Sequence, residues 1–147
     1  VKELKPFVDK NYSTYTDASH TFIMGSSMGG LISMYAICEY PEFFGGAICM
    51  STHWPGIFAS ENNPIPLAFR NYLKANLPNP KTHKIYFDFG TETLDKMYEP
   101  YQIKVDEIMK AKKFGKKNWQ TLKFEGEDHS EKSWAKRLSI PLTFMLK

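Results

Sequence analysis

The stretch TFIMGSSMGGL, residues 21–31, carries the strongest structural signal in the chain. It places the pattern G-x-S-x-G between a short apolar run and a long apolar segment, which is typical of a strand, a tight turn and a helix. We expect Gly25 and Gly29, which lack a Cβ atom, to let the turn close around Ser27. Ser26 is the neighbouring candidate, but it has no glycine two residues away on either side. The pattern therefore predicts that the Ser27 hydroxyl is lifted clear of the sheet edge.

The backbone amide of Met28 is a second candidate group at this turn. The predicted helix begins beside Ser27 and directs its N-terminus, the positive end of the helix dipole, at the same spot. We therefore expect the Met28 amide to hold a developing oxyanion. A plain strand-to-helix turn without chemistry is the alternative interpretation, and the flanking sequence favours the nucleophile.

Length and composition restrict the class of protein. The chain has 147 residues and is 42% hydrophobic, which predicts a single domain over residues 1–147 with one core. Lys and Arg number 19 against 16 Asp and Glu, and one basic cluster follows a helical pattern that favours a solvated helix face: Lys110, Lys112, Lys113, Lys116 and Lys117. No apolar stretch approaches the roughly eighteen residues of a membrane helix, and no signal segment opens the chain. We expect no nucleic-acid partner and no membrane partner.

Apolar runs that fit strands alternate with segments of helical period along the whole chain. The predicted strands are residues 21–24, 45–50, 84–89 and 119–124, and the last of the intervening helices runs through Trp134 towards Phe144 with Pro141 as its candidate break. The alternation predicts an α/β fold, a parallel sheet covered by helices on both faces. Cys38 and Cys49 fall in buried elements and are interpreted as small core residues rather than a disulfide or metal pair.

Residues 51–65 combine turn formers with aromatic side chains and follow the second predicted strand. Ligands bind outside the carboxyl ends of the strands in open α/β sheets. His53 and Trp54 are therefore candidate substrate-binding residues in a pocket wall, with an ordinary surface loop as the alternative.

A serine hydroxyl needs a base to take its proton and an acid to orient that base. His129 is the candidate base, because of four histidines it alone lies after the final strand and before the final helix. Asp95, after the third strand, is the favoured acid, and Glu92 remains the alternative. The chain order Ser27, Asp95, His129 is the order that α/β hydrolases use.

Three further acids have other expected roles. Asp88 is expected to lie within the third strand. Glu127 and Asp128 are too close in sequence to His129 to reach behind its ring, so we expect them to orient its loop.

Four segments of the chain share features with one known family: GSSMGGL at 25–31, YPEFF at 40–44, DFGTE at 88–92 and the segment 129–134. Together they resemble the esterase family of the α/β-hydrolase superfamily that includes esterase D, enterochelin esterase and feruloyl esterases. The resemblance implies the α/β-hydrolase fold, a serine esterase mechanism without cofactor or metal, and the roles given above for Ser27, Asp95 and His129. Thr93 stands where the family commonly has its aspartate, which leaves a Ser–His dyad as a further alternative.

The resemblance also implies several strands ahead of the nucleophile, with an early loop that donates a second oxyanion amide. The chain shows no such strands and opens at Val1 with a helical pattern. We expect the open sheet edge to be covered by a preceding N-terminal segment or, in a homo-oligomer, by a second copy of the chain.

The expected activity is hydrolysis of a small-molecule carboxylic ester through an acyl-Ser27 intermediate, with His129 as base and then acid. An acyltransferase of the same fold, or a catalytically incomplete binding or scaffold domain, are the alternatives. The sequence distinguishes neither the ester nor the cellular compartment.

Overall fold

A computed structural model of the chain describes residues 1–57 and 62–147. Within these residues a parallel sheet has the strand order β1-β2-β3-β4. The strands are β1 (Phe22–Ser26), β2 (Gly46–Met50), β3 (Lys84–Gly90) and β4 (Trp119–Phe124). The helices are α1 (Leu4–Asn11), α2 (Met28–Glu39), α3 (Ile65–Asn76), α4 (Glu99–Ala111), α5 (Glu131–Arg137) and α6 (Ser139–Leu146), with short 3₁₀ turns at 18–20 and 93–97.

Alternate residues of the central strands point to opposite faces of the sheet, as strand geometry requires. Ala47 and Cys49 of β2 face the larger core, where α2, α3 and α4 pack, whereas Ile48 and Met50 face the smaller core. The larger core also holds Cys38, so both cysteines are buried, free core residues as predicted. The smaller core is closed by α5 and α6. Helices thus cover both faces, and the predicted α/β class is confirmed.

The C-terminal helical region is interrupted one turn earlier than predicted. The candidate break was Pro141, but α5 ends at Arg137 and α6 starts at Ser139. A proline has no N–H, so Pro141 cannot donate to the carbonyl four residues earlier, that of Arg137, and the ladder fails there. Pro141 itself lies in the first turn of α6, where no such bond is needed.

None of the helices in the described ranges is long and apolar enough to cross a bilayer. The loop predicted at residues 51–65 is described at 51–57 and 62–64, and its residues 58–61 lie outside the described residues.

The turn between β1 and α2 has a positive φ of 57° at Ser27. A Cβ atom at Gly25 would lie 2.6 Å from both the carbonyl carbon and the oxygen of Gly29, so the strand and the helix approach each other too closely for a side chain there. A Cβ atom at Gly29 would have no neighbour within 4 Å. The expectation that both glycines are required is therefore wrong for Gly29, whose missing side chain would point into open space.

This difference predicts opposite outcomes for two matched substitutions. We expect Gly25→Ala to lower the free energy of unfolding by about 1–3 kcal/mol or more, because the new methyl group meets backbone that cannot move aside. Gly29→Ala in the first turn of α2 should leave it unchanged or raise it by up to about 1 kcal/mol. Urea unfolding of both variants measures the effect, and equal losses at the two positions would mean that both glycines are required.

Candidate active site

Ser27 lies at the carboxyl edge of the sheet, and backbone hydrogen bonds hold its turn from two sides. Its amide donates to the Met50 carbonyl at 2.9 Å, which continues the β1–β2 ladder. Its carbonyl accepts from the amides of Gly30, at 3.1 Å, and His53, at 3.2 Å. The unusual backbone conformation at Ser27 is thus fixed by both the neighbouring strand and the following helix.

The structure brings Ser27, His129 and Asp95 together in one hydrogen-bonded chain. His129 Nε2 lies 2.9 Å from Ser27 Oγ, across 102 residues of sequence. His129 Nδ1 lies 2.6 Å from Asp95 Oδ1. Because an ionised carboxylate only accepts, Nδ1 carries the proton and donates it, which leaves Nε2 of the neutral ring as an acceptor for the Ser27 hydroxyl.

The His129 ring is held by contacts on several sides. Its centroid lies 5.0 Å from that of Trp134 and 5.7 Å from that of Tyr98, both edge-on. Its backbone amide donates to Thr93 Oγ1 at 2.9 Å. Thr93 therefore anchors the histidine loop to the loop that follows β3.

Asp95 is buried on the 3₁₀ turn after β3, with 1% of its surface exposed. Its Oδ2 accepts from the Gly90 amide at 2.6 Å and from Ser51 Oγ at 2.5 Å. Glu92, the alternative acid, is half exposed and pairs with Lys96 at 3.2 Å. The structure therefore brings Asp95, and not Glu92, to the histidine.

Met28 is the first residue of α2, directly after Ser27. Among the described residues its backbone amide has no hydrogen-bond acceptor. This N–H at a helix N-terminus can therefore bind an anionic oxygen next to Ser27.

The two candidate pocket-wall residues have separate outcomes. Trp54 does not have the expected place in a pocket wall. It is 2% exposed, belongs to the larger core and donates from Nε1 to Gln102 Oε1 at 2.9 Å. Its position next to a turn suggested exposure, but burial removes the large apolar ring from water and Gln102 satisfies its N–H. His53 is buried as well, so it does not lie in an exposed surface loop, and its part in a pocket wall stays a prediction.

Tyr98 connects His53 to the candidate site. Its hydroxyl lies 2.6 Å from His53 Nδ1 and 3.5 Å from His129 Nδ1. Burial, and then the proximity of His129, lower the pKa of His53. Burial followed by the charge of Asp95 raises the pKa of the Tyr98 hydroxyl. Both effects keep these two side chains neutral beside the histidine at neutral pH.

Glu127 and Asp128 both accept hydrogen bonds in the histidine loop, and the expectation that their side chains orient it stays a prediction. The Glu127 carbonyl accepts from the amides of Thr91, at 2.9 Å, and Glu92, at 3.0 Å. Asp128 Oδ1 accepts from the hydroxyl of Ser133 at 2.6 Å. The loops after β3 and β4 are thereby tied together.

A buried polar cluster behind Asp95 escaped the sequence analysis. Ser51, Asp88 and Arg137 are each at most 3% exposed. Arg137 Nη2 donates to Asp88 Oδ1 at 3.0 Å and to Ser51 Oγ at 2.9 Å. Burial raises the pKa of Asp88, and the Arg137 guanidinium acts in the opposite direction. The available signal was the single acid in the apolar strand sequence IYFDF, since a charge inside a strand requires a buried partner.

The parallel sheet and its helices give the chain the α/β-hydrolase fold. The family described as "Putative esterase" matches residues 1–142. The chain therefore belongs to this esterase family, as its motifs indicated.

Known structures share this fold, and a short part of the sequence matches an uncharacterized protein. A ferulic acid esterase superposes with a TM-score of 0.74 at 20% identity, over 98% of this chain and 58% of its own. The enterochelin esterase of Shigella flexneri superposes with a TM-score of 0.73 at 22% identity, over 99% of this chain and 35% of its own. Uncharacterized protein YbbA of Bacillus subtilis (strain 168) is 40% identical over 40 residues, 27% of this chain and 16% of YbbA. The chain thus spans at most 58% of the length of these relatives.

Proposed function

We propose that this chain carries the catalytic groups of a serine hydrolase that cleaves carboxylic esters through an acyl-Ser27 intermediate. The observation that supports the proposal is the continuous hydrogen-bonded chain from Ser27 Oγ through His129 to Asp95, with distances of 2.9 Å and 2.6 Å. Membership of an esterase family supports a hydrolase at the coarser level. The turn at Ser27 is proposed to act as a nucleophile elbow.

In the first step His129 Nε2 takes the proton of Ser27 as Oγ forms a bond to the carbonyl carbon of the ester. The carbonyl π electrons move to oxygen, and the Met28 amide donates to the resulting oxyanion. Asp95 stabilises the imidazolium and preserves the ring orientation. The His129 ring starts in the tautomer that this step requires, because Asp95 already accepts from Nδ1.

In the second step the tetrahedral intermediate collapses, the C–O bond to the alcohol breaks, and His129 gives its proton to the leaving alkoxide. A water molecule then repeats the sequence on the acyl enzyme, with His129 as base and Ser27 Oγ as leaving group. The products are one alcohol and one carboxylic acid. If an alcohol replaces water, the same intermediate yields a new ester, which is the acyltransferase alternative.

The substrate class proposed for this site is a small carboxylic ester. Two relatives with this fold are named as esterases of ferulic acid and enterochelin, so an aryl ester is a suitable first probe. Turnover of such an ester with and without added alcohol separates hydrolysis from acyl transfer by the products formed.

Ser27→Ala tests the nucleophile. We expect labelling by a fluorophosphonate probe to disappear and the turnover of a short-chain aryl ester to fall by at least about ten-thousand-fold, because no acyl enzyme can form. Ser26→Ala is the matched control, one residue away, and should retain both signals. An adduct on Ser26, or turnover that survives Ser27→Ala, would contradict the proposal and favour the binding or scaffold alternative.

Asp95→Asn tests the acid, with Glu92→Gln as its control. We expect kcat to fall by up to roughly ten-thousand-fold for Asp95→Asn, because an amide in place of the carboxylate no longer fixes the required tautomer. Glu92→Gln removes a partly exposed ion pair with Lys96 and should change kcat little. Steady-state kinetics of both variants measure the effect. Near-full activity of both would instead favour a Ser–His dyad.

We also propose that the open edge of β1 is occupied by a further strand of the same polypeptide, ahead of the described helix α1. β1 has a neighbour only on the β2 side among the described residues. Four large apolar side chains of this strand and of α2, the helix that packs against it, are exposed: Met24, Met28, Ile32 and Tyr35. Such a surface next to an unpaired parallel edge is a pairing site. The greater length of the structural relatives supports this occupant.

The edge proposal predicts that residues 1–147 alone associate in solution. Met24→Lys in β1 should reduce the mass measured by light scattering, because a charge on an edge strand opposes pairing. Ile103→Lys replaces a similarly exposed residue on α4 and should not change the measured mass.

A polypeptide that carries the earlier strands should be monomeric and react faster, since a missing oxyanion donor costs about a hundred- to a thousand-fold in kcat. A monomeric 147-residue chain of equal activity would overturn this proposal, and a stable dimer of the longer polypeptide would favour a second copy as the occupant.

A further inference from the structure

We infer that Ser51 is a positioning residue that fixes the Asp95 carboxylate, and that Arg137 and Trp134 hold Ser51 in the orientation this requires. The inference rests on the proposed function, in which Asp95 orients His129. Ser51 lies directly after β2, while Asp95 lies on the turn after β3. Ser51 is completely buried.

The direction of each hydrogen bond at Ser51 follows from its partners. Trp134 Nε1 and Arg137 Nη2 each lie 2.9 Å from Ser51 Oγ, and both groups can only donate. The two lone pairs of the hydroxyl are therefore occupied. Its single proton is left for Asp95 Oδ2, at 2.5 Å. Ser51 is thus an obligate donor to the carboxylate, because its two lone pairs are already used by Trp134 and Arg137.

The carboxylate is held at both oxygens as a consequence. Oδ2 accepts from the Ser51 hydroxyl and from the Gly90 amide, whereas Oδ1 accepts from His129. Two donors on Oδ2 prevent rotation about the Cβ–Cγ bond and keep Oδ1 aimed at Nδ1. Without Ser51 the Gly90 amide alone would hold that oxygen.

The backbone at Ser51 is also in an unfavourable conformation, with φ at 41°. A residue other than glycine in this region costs of order 1–3 kcal/mol and persists where its surroundings fix it. Here the Ser51 amide donates to the Asp88 carbonyl at 2.8 Å. The conformation turns the side chain from β2 towards the carboxyl end of β3, where Asp95 lies.

Charge balance explains why the Arg137 cation can lie close to Asp95. Arg137 and Asp95 are both hydrogen-bonded to the Ser51 hydroxyl, but the charge of Arg137 is compensated by Asp88 Oδ1 at 3.0 Å. When His129 takes the serine proton, the buried group consists of two carboxylates and two cations. Arg137 can therefore orient Ser51 without competing with His129 for the charge of Asp95.

Ser51→Ala tests the inference, and Ser33→Ala is the matched control. Ser33 is equally buried, but its hydroxyl donates to the Gly29 carbonyl within α2 at 2.7 Å. We expect Ser51→Ala to lower kcat roughly ten- to a hundred-fold with KM unchanged, as for loss of a hydrogen bond to a charged group. The far-downfield proton NMR signal of His129 Nδ1–H should shift or broaden in Ser51→Ala and stay unchanged in Ser33→Ala. Ser51→Gly, which removes the hydroxyl and relieves the positive φ, is the second variant if Ser51→Ala does not fold.

The outcomes separate this inference from the proposed function. Wild-type protein that neither reacts with a fluorophosphonate nor hydrolyses an ester would overturn the proposed function, and the NMR signal would then decide the role of Ser51 by itself. Active wild-type protein, with kcat and the Nδ1–H signal retained in folded Ser51→Ala or Ser51→Gly, would overturn the inference. Equal kcat losses in Ser51→Ala and Ser33→Ala would also overturn it, because they would indicate a general packing effect.

Discussion

The buried carboxylate of Asp95 is the constraint on which the rest of the site depends. A charge that is 1% exposed is tolerated only where hydrogen bonds and a countercharge replace its hydration. The chain supplies these from separate elements: the Gly90 amide at the end of β3, the Ser51 hydroxyl after β2, and the His129 ring after β4. Loss of any one of them leaves part of the charge uncompensated, so the loops at this edge of the sheet are coupled through one side chain.

Parallel strand pairing explains why these groups meet. In the register of the sheet, Ser26 is opposite Met50, Met50 is opposite Asp88, and Gly90 is opposite Phe124. All the strands therefore end at one edge, and the residue after each strand arrives at the same place. The alternation of side chains then sends Asp88 to the face that α5 covers, where Arg137 meets it. Asp88 and Arg137, on the face of the sheet that α5 covers, thus contribute to the electrostatics of the site.

The sequence predicted the elements and the order of Ser27, Asp95 and His129, because those features are local: apolar periodicity, a G-x-S-x-G turn, and polar residues that follow strands. It did not predict Ser51 or Arg137, because their contacts join residues 86 positions apart and depend on which face of the sheet each side chain meets. The same limit produced the error at Trp54, since a turn former beside an aromatic residue does not reveal whether the ring folds back into the core. The G-x-S-x-G pattern marks Gly25 and Gly29 alike. Only the close packing of Gly25 against the Gly29 backbone shows that Gly25, and not Gly29, has to lack a side chain.

The site has two unequal halves. On the acid side, buried hydrogen bonds from β2, β3, α5 and the loop after β4 fix Asp95 and His129 within the described chain. On the other side lies the Met28 amide, the proposed oxyanion donor; Met24, Met28 and Ile32 are exposed, and β1 has no neighbour on one edge among the described residues. In the proposed reaction, proton transfer from Ser27 to His129 uses only the first half, whereas stabilisation of a tetrahedral oxyanion uses the second. Under the proposed mechanism, the reactivity of the Ser27 hydroxyl and the rate of the complete reaction are therefore separable properties. The residues behind His129 determine the first, and the strand proposed to pair with β1 contributes to the second.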